Sequence, residues 1–272
     1  PLFGSVPSRD GLALPSRHLG LVQAADFDNA CLEQILDHAA DLINEYCDLD
    51  AILDAAQELP AADTAVEALP LPLTSPPAMN PPAKTIAVAN DAAFGFAYHH
   101  ILAGWQQQGA EIRSFSPLND EEPADGADFI FLPGGYPELH LPTLSTNRQF
   151  LAGLTKAATA NIPIYGECGG YMVLGTGITD ASGNRFDMAG LLDVETSFAN
   201  KKRHLGYRKF TPVKPFFWDG PFLGHEFHYT NVVSASGTPL FTAHDANDQP
   251  LGMSCPRKGS VAGSYLHIIA QS

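Results

Sequence analysis

Tyr165-Gly166-Glu167-Cys168-Gly169-Gly170-Tyr171-Met172 sets one thiol among small residues, directly after the apolar run Ile162-Pro163-Ile164 and just before a helical pattern from Gly170 to Leu174. A cysteine at such a strand-to-helix corner stands clear of bulky neighbours. Backbone N–H groups of the new helical turn favour thiolate over thiol there, and later an oxyanion over a carbonyl. Glycines at 166, 169 and 170 permit the backbone angles and close approach the corner demands. The chemistry indicated is nucleophilic attack by Cys168 on a carbonyl carbon.

A thiol attacking a carbonyl needs a base and an oxyanion site. Of the ten histidines, His38, His99 and His100 fall on helical patterns and His244 near a turn. His267 lies toward the end of the buried-strand pattern Val261-Ala262-Gly263-Ser264-Tyr265-Leu266-His267-Ile268-Ile269, where an open α/β sheet forms its sites. The segment Leu132-Pro133-Gly134-Gly135-Tyr136-Pro137-Glu138 puts two glycines after a buried strand, so that a backbone N–H can turn toward the oxygen of the attacked carbonyl.

Two further segments suit a pocket wall. In Leu223-Gly224-His225-Glu226-Phe227-His228-Tyr229, strand alternation places His225, Phe227 and Tyr229 on one face and Glu226 and His228 on the other. Two ligands on a face with no third nearby argue for a polar wall, and no metal is expected. The run from Lys201 to Lys209, with Arg203, His204 and Arg208, offers several cations to an acidic ligand.

The elements that must position these residues alternate. Thr85–Ala89, Glu111–Phe115 and Asp128–Leu132 read as strands, separated by helical patterns over Phe94–Gln108 and Phe150–Ala160, and Ile162–Tyr165 reads as the strand leading into Cys168. This βαβ rhythm predicts an α/β fold with a flavodoxin-like open, mostly parallel sheet and flanking helices. Beyond Gly175 turn signals and short strands take over. Upstream, Asp28 to Cys47 and Asp48 to Ala56 read as two amphipathic helices with aspartate caps. Residues 60–82 hold seven prolines and read as a linker. Three parts follow: 1–59 as the tail of a larger domain, the linker 60–82, and a second domain over 83–272.

At 272 residues the chain has room for one large domain or two smaller ones. Its net charge of −15 argues against a nucleic-acid partner. The charge is uneven: no Lys or Arg falls between Arg17 and Lys84, and six of the fifteen lie between Lys201 and Lys214. No run has the length of a membrane span. Four cysteines without CxxC spacing fit a reduced, cytoplasmic chain.

In order along the chain, LALPSRHLGLVQA (12–24), AVANDAAFGFAY (87–98), LPGGYPEL (132–139), YGECGGYMVLG (165–175), TSFA (196–199), HLGYR (204–208), GHEFHY (224–229) and GSYLHI (263–268) resemble the class I glutamine amidotransferase region of the cobyrinate and hydrogenobyrinate a,c-diamide synthase family. The resemblance implies that Cys168 attacks the side-chain amide of L-glutamine, that His267 is the catalytic histidine, and that Gly135 with Gly169 supplies the oxyanion hole, Gly134 and Gly170 being the adjoining glutamine-binding backbone. It further implies ammonia transfer to a corrinoid precursor at a dethiobiotin-synthetase-like domain that uses ATP and Mg²⁺ and precedes the amidotransferase. Residues 1–59 would be that domain's remnant, since no GxxxxGK[ST] loop occurs in this chain and no cofactor is expected within it. A homodimer is among the expectations. Two positions depart from the general class I pattern: Ile269 stands where an acid two residues after the histidine is usual, and Met172 stands in place of a glutamine. His267 is then left to some other group or to packing for its orientation. A non-catalytic docking domain, or amidation of another tetrapyrrole such as nickel-sirohydrochlorin, are the alternative readings.

Overall fold

Phe129-Ile130-Phe131-Leu132 is apolar at every position, as a strand covered on both faces must be. In the computed structural model, which describes residues 1–9, 12, 29–56 and 79–272, its alternate side chains feed two separate cores. Ile130 and Leu132 pack with Phe94, Phe150, Leu154 and Tyr171, whereas Phe129 and Phe131 pack with Ile86, Trp105, Tyr165 and Phe222. Each fully buried side chain of this size stabilises the fold by about 1.5–3 kcal/mol. The chain divides into two units, Pro1–Thr74 and Ser75–Ser272.

The first unit holds α1 (Asn29–Tyr46) and α2 (Leu49–Ala55). Asp48 caps α2 as its position predicts, its Oδ1 accepting from the Ala51 N–H at 3.0 Å. The stripe expected to be apolar on these helices is largely open, with Ile43, Ile52 and Leu53 exposed. The cap expected at Asp28, the LALPSRHLGLVQA motif beyond Leu12, and linker residues 60–78 lie outside the described residues.

The second unit opens with β1 (Thr85–Ala89), α3 (His99–Gln107), β2 (Glu111–Phe115), β3 (Phe129–Leu132), α4 (Leu141–Thr146), α5 (Arg148–Thr159), β4 (Ile164–Glu167) and α6 (Gly169–Leu174). Strands then dominate: β5 (Gly177–Thr179), β6 (Arg185–Asp187), β7 (Val194–Ser197), β8 (His204–Pro212), β9 (Phe222–His228), β10 (Asn231–Ala235), β11 (Thr238–Asp245), β12 (Pro250–Lys258), β13 (Val261–Ser264) and β14 (Leu266–Gln271). Among the described residues, the main sheet has ten strands in the order β2-β1-β3-β4-β13-β12-β11-β8-β9-β14. Its first five strands are parallel, and the remaining neighbours pair antiparallel. A four-stranded sheet, β10-β7-β5-β6, accompanies it. The α/β class is as expected, with the parallel part confined to β2-β1-β3-β4-β13 and an antiparallel wing beyond it.

Two element boundaries differ from expectation, each for a local reason. The helix expected from Phe94 begins at His99, because Asp91 turns the chain, accepting from Ala93 N–H at 2.9 Å, and Phe96 N–H then bonds the Gly134 carbonyl at 2.9 Å. The single strand expected over 261–269 is broken at Tyr265. Ser264 Oγ accepts from Leu266 N–H at 2.9 Å and bonds the Leu266 carbonyl at 3.1 Å, which ends the β13 ladder against β4. The chain re-enters as β14 against β9, so His267 stands near the start of an antiparallel strand rather than at the end of a parallel one.

Candidate active site

Cys168 occupies the corner between β4 and α6 with φ 44° and ψ −99°, a backbone conformation that L-residues rarely adopt and that costs about 1–3 kcal/mol. The neighbouring elements hold it there. Its N–H donates to the Ser264 carbonyl of β13 at 2.7 Å, and its carbonyl accepts from Met172 N–H in α6 at 3.1 Å. Strand and helix meet so closely that a Cβ at Gly166 would lie 2.6 Å from the Gly170 carbonyl carbon. The strain turns the thiol out of the sheet; its sulfur lies 3.7 Å from the Phe227 carbonyl of β9.

His267 reaches the same point from β14. A Cβ placed on Gly134 would sit 2.6 Å from His267 Cε1 and 3.5 Å from Cys168 Cβ, so thiol, imidazole and glycine share one small space. Burial alone would lower the pKa of His267. The proximity and charge of Cys168 and Glu167 more than offset that and raise it to about 10, favouring an imidazolium beside the sulfur. Glu167 is the residue that sequence reasoning missed. Its Oε2 lies 3.5 Å from His267 Nδ1 with both side chains 4% exposed, and its Oε1 accepts from Ile268 N–H at 3.2 Å. The available signal was a lone acid in an apolar strand, directly before the candidate nucleophile.

The two candidate oxyanion glycines face each other: a Cβ on Gly169 would lie 3.1 Å from the Gly135 nitrogen. Gly170 does not join them. Its N–H donates to the Pro133 carbonyl at 3.1 Å and its α-carbon abuts the Leu132 backbone, so it seats α6 on β3 and has no donor left for a ligand. A buried cysteine at a strained corner, an imidazolium and two converging glycine backbones together can form and release an acyl–sulfur intermediate.

Residues 85–272 match the family model of the CobB/CobQ-like glutamine amidotransferase domain. The chain belongs to this family. The amidotransferase chain is also 48% identical over 270 residues to a hydrogenobyrinate a,c-diamide synthase of Rhizobium meliloti, a match covering 99% of this chain and 60% of the relative. To the hydrogenobyrinate a,c-diamide synthase of Rhodobacter capsulatus it is 40% identical over 272 residues, covering 99% and 59%. The chain thus spans about 60% of the length of the curated relatives it matches. Among solved structures, a glutamine amidotransferase from Thermotoga maritima is similar at a TM-score of 0.43 and 16% identity, over 67% of this chain and 75% of that one.

In the amidotransferase domain His225-Glu226-Phe227-His228 ends β9, with Tyr229 just beyond it, and His225 lies on the face opposite Glu226 and His228, as alternation requires. His225, in register with His267, stacks flat on it with ring centroids 4.7 Å apart, and its Nε2 bonds the Tyr98 hydroxyl. Burial, and then the charge on His267, lower the His225 pKa to about 4, so this ring is neutral beside its neighbour. Burial followed by the charges of Glu167 and Cys168 raises Tyr98 to about 12.

The opposite face carries Glu226 and His228. Glu226 Oε1 bonds His228 Nε2 at 2.8 Å, and Oε2 takes Arg208 Nε at 3.0 Å and its Nη2 at 2.8 Å. Burial would raise the Glu226 pKa, but His228 and Arg208 prevail and lower it to about 2. Burial holds His228 below its ordinary value despite that carboxylate.

Two expectations about this region are corrected. The first is that Glu226 and His228 have no third ligand near them. His204, directly opposite His228 in the ladder, stacks on it at 4.6 Å, and ligand atoms of the three lie within 4.8 Å of one another. Both Glu226 oxygens are nevertheless bonded already, one of them to a guanidinium. The second, that the basic run offers several cations to an acidic ligand, is narrowed, because two of them have partners of their own. Arg208 is committed to Glu226, and Lys209 pairs with Asp248 at 2.7 Å. Arg203, just before β8, is exposed.

Cys47 and Cys168 are free thiols, and among the described residues no helix is long and apolar enough to cross a membrane.

Proposed function

We propose that this chain is the glutamine-hydrolysing part of an ATP-dependent amidoligase acting on the a and c carboxylates of hydrogenobyrinate or cobyrinate. One observation carries the reading: a strained, buried cysteine and a histidine imidazole meet at a glycine-walled corner in a chain whose relatives bear the name hydrogenobyrinate a,c-diamide synthase. The Cys168 sulfur attacks the amide carbon of the glutamine side chain, and the oxyanion that forms is held by the N–H groups of Gly135 and Gly169. His267 gives its proton to the amide nitrogen, the carbon–nitrogen bond breaks, and ammonia leaves a γ-glutamyl thioester. His267 then takes a proton from water as the water oxygen attacks the thioester. The carbon–sulfur bond breaks, glutamate departs, and the imidazolium is restored.

Ammonia is the product that an acyl phosphate on the corrinoid would consume. ATP and Mg²⁺ would act in a preceding synthetase domain, of which residues 1–59 are the tail and 60–82 the tether to an amidotransferase domain over 83–272. The present residues do not fit ATP, having no GxxxxGK[ST] loop, and no step through it is assigned to them.

The test joins two measurements. 6-Diazo-5-oxo-norleucine is expected to alkylate Cys168, and Cys168→Ala to abolish both labelling and glutamate release; release surviving that substitution would sink the nucleophile assignment. Supplying the upstream domain with ATP and comparing glutamine-dependent amidation of hydrogenobyrinate and cobyrinate then assigns the acceptor. Failure with both would point to another tetrapyrrole.

A further inference from the structure

Class I amidotransferases commonly place an acid two residues after the catalytic histidine, and this chain has Ile269 there. We infer that Glu167 is the positioning residue of His267, its carboxylate reaching from the residue before the nucleophile to do from β4 what an acid at 269 would do from β14. The inference rests on reading Cys168 and His267 as the reacting pair.

Three observations carry it. Glu167 Oε2 lies 3.5 Å from His267 Nδ1, both side chains are 4% exposed, and Nδ1 has no hydrogen-bond partner of ordinary geometry among the described residues. The separation is long for a hydrogen bond, as contacts between catalytic groups often are before substrate tightens them. Second, the carboxylate is fixed relative to its target, because Oε1 accepts from Ile268 N–H, the peptide that follows the histidine. Any shift of β14 would carry that anchor along. Third, no Lys or Arg among the described residues pairs with Glu167, so an acid is buried with an imidazole as its counter-charge. Such a placement is costly for stability and is characteristic of functional sites.

The backbone explains how adjacent residues serve one ring. Strand alternation would send side chains 167 and 168 to opposite faces. The positive φ of Cys168 ends that alternation and turns the thiol out of the strand. Glu167 then addresses Nδ1, which leaves Nε2 for the sulfur. With Nδ1–H held, the ring keeps the tautomer and orientation in which Nε2 moves the proton between sulfur and leaving nitrogen; no proton passes to Glu167.

The experiment compares wild type, Glu167→Gln and Glu167→Asp in the full chain. It reads the rate of Cys168 alkylation by 6-diazo-5-oxo-norleucine from pH 5 to pH 10, steady-state glutamate release, and thermal unfolding. Glu167→Gln is expected to lower alkylation and kcat by about 10²–10⁴-fold with the glutamine KM little changed. The His267 limb of the pH profile should move to lower pH, and Glu167→Asp should recover at least tenfold of the loss. Alkylation of Glu167→Gln within about threefold of wild type, with an unmoved pH profile, would overturn the inference. So would equal losses in both variants accompanied by equal drops in Tm, which would mark a structural role. If Glu167→Gln does not fold, the pH profile of Glu167→Asp decides by the same criterion. A wild type that is not alkylated at Cys168 would instead bring down the underlying reading.

Discussion

The imidazoles of His225 and His267 lie parallel, 4.7 Å between centroids and 6° between planes, because β9 and β14 pair them directly across the antiparallel ladder. The neutral ring, held by Tyr98, is a flat wall against which the charged one is set. Removing the wall frees the histidine to rotate. His225→Ala is expected to slow alkylation of Cys168 by about 10²-fold, the cost of an ångström-scale misplacement, while Tyr98→Phe costs only a fewfold. Comparing the two labelling rates checks the order.

Gly134 makes the same point through space. A methyl group there would lie 2.6 Å from His267 Cε1. Gly134→Ala is expected to displace the imidazole and lower glutamate release by about 10²-fold or more, with melting behaviour close to wild type. Retained activity would show that the ring has room to give.

Burial raises the pKa of Glu138 to about 7, against an ordinary 4.5, with its backbone bond and the charge of Lys201 only partly opposing. The protonated form is therefore favoured by folding. Its contribution is complete below about pH 4.5 and is lost as pH rises through about 7. Glu138→Gln, which cannot ionise, should be more stable than wild type at pH 8, by about 2–3 kcal/mol, and the difference should shrink toward pH 5. Urea unfolding at both pH values measures it.

The Arg208–Glu226 pair behaves in the opposite sense. With Glu226 lowered from 4.5 to about 2, its contribution is present above about pH 4.5 and is lost as pH falls toward 2. A double-mutant cycle of Arg208→Ala and Glu226→Gln should return a coupling of about 1–2 kcal/mol at pH 7 that declines below about pH 4.5 and is lost only as pH falls through about 2.

Much of the site was legible in the chain because it is local. Strand, cysteine, glycines and helix follow one another within Ile164–Leu174, so the corner at Cys168 could be read from small residues after an apolar run. The Gly134-Gly135 turn and the faces of the HEFHY strand were readable for the same reason, since alternation is a property of one strand. The order of these segments also carried the family.

Long-range register decided the rest. Glu167 meets His267 only because β4 pairs with β13 and the chain breaks at Tyr265 before returning as β14, a break made by the Ser264 side chain. Arg208 pairs with Glu226 only because β8 lies beside β9, and His204 approaches Glu226 for the same reason. What one strand or turn dictates, the sequence by itself determined. Which side chains from distant strands meet depends on sheet order and register, and the tertiary structure alone settled that.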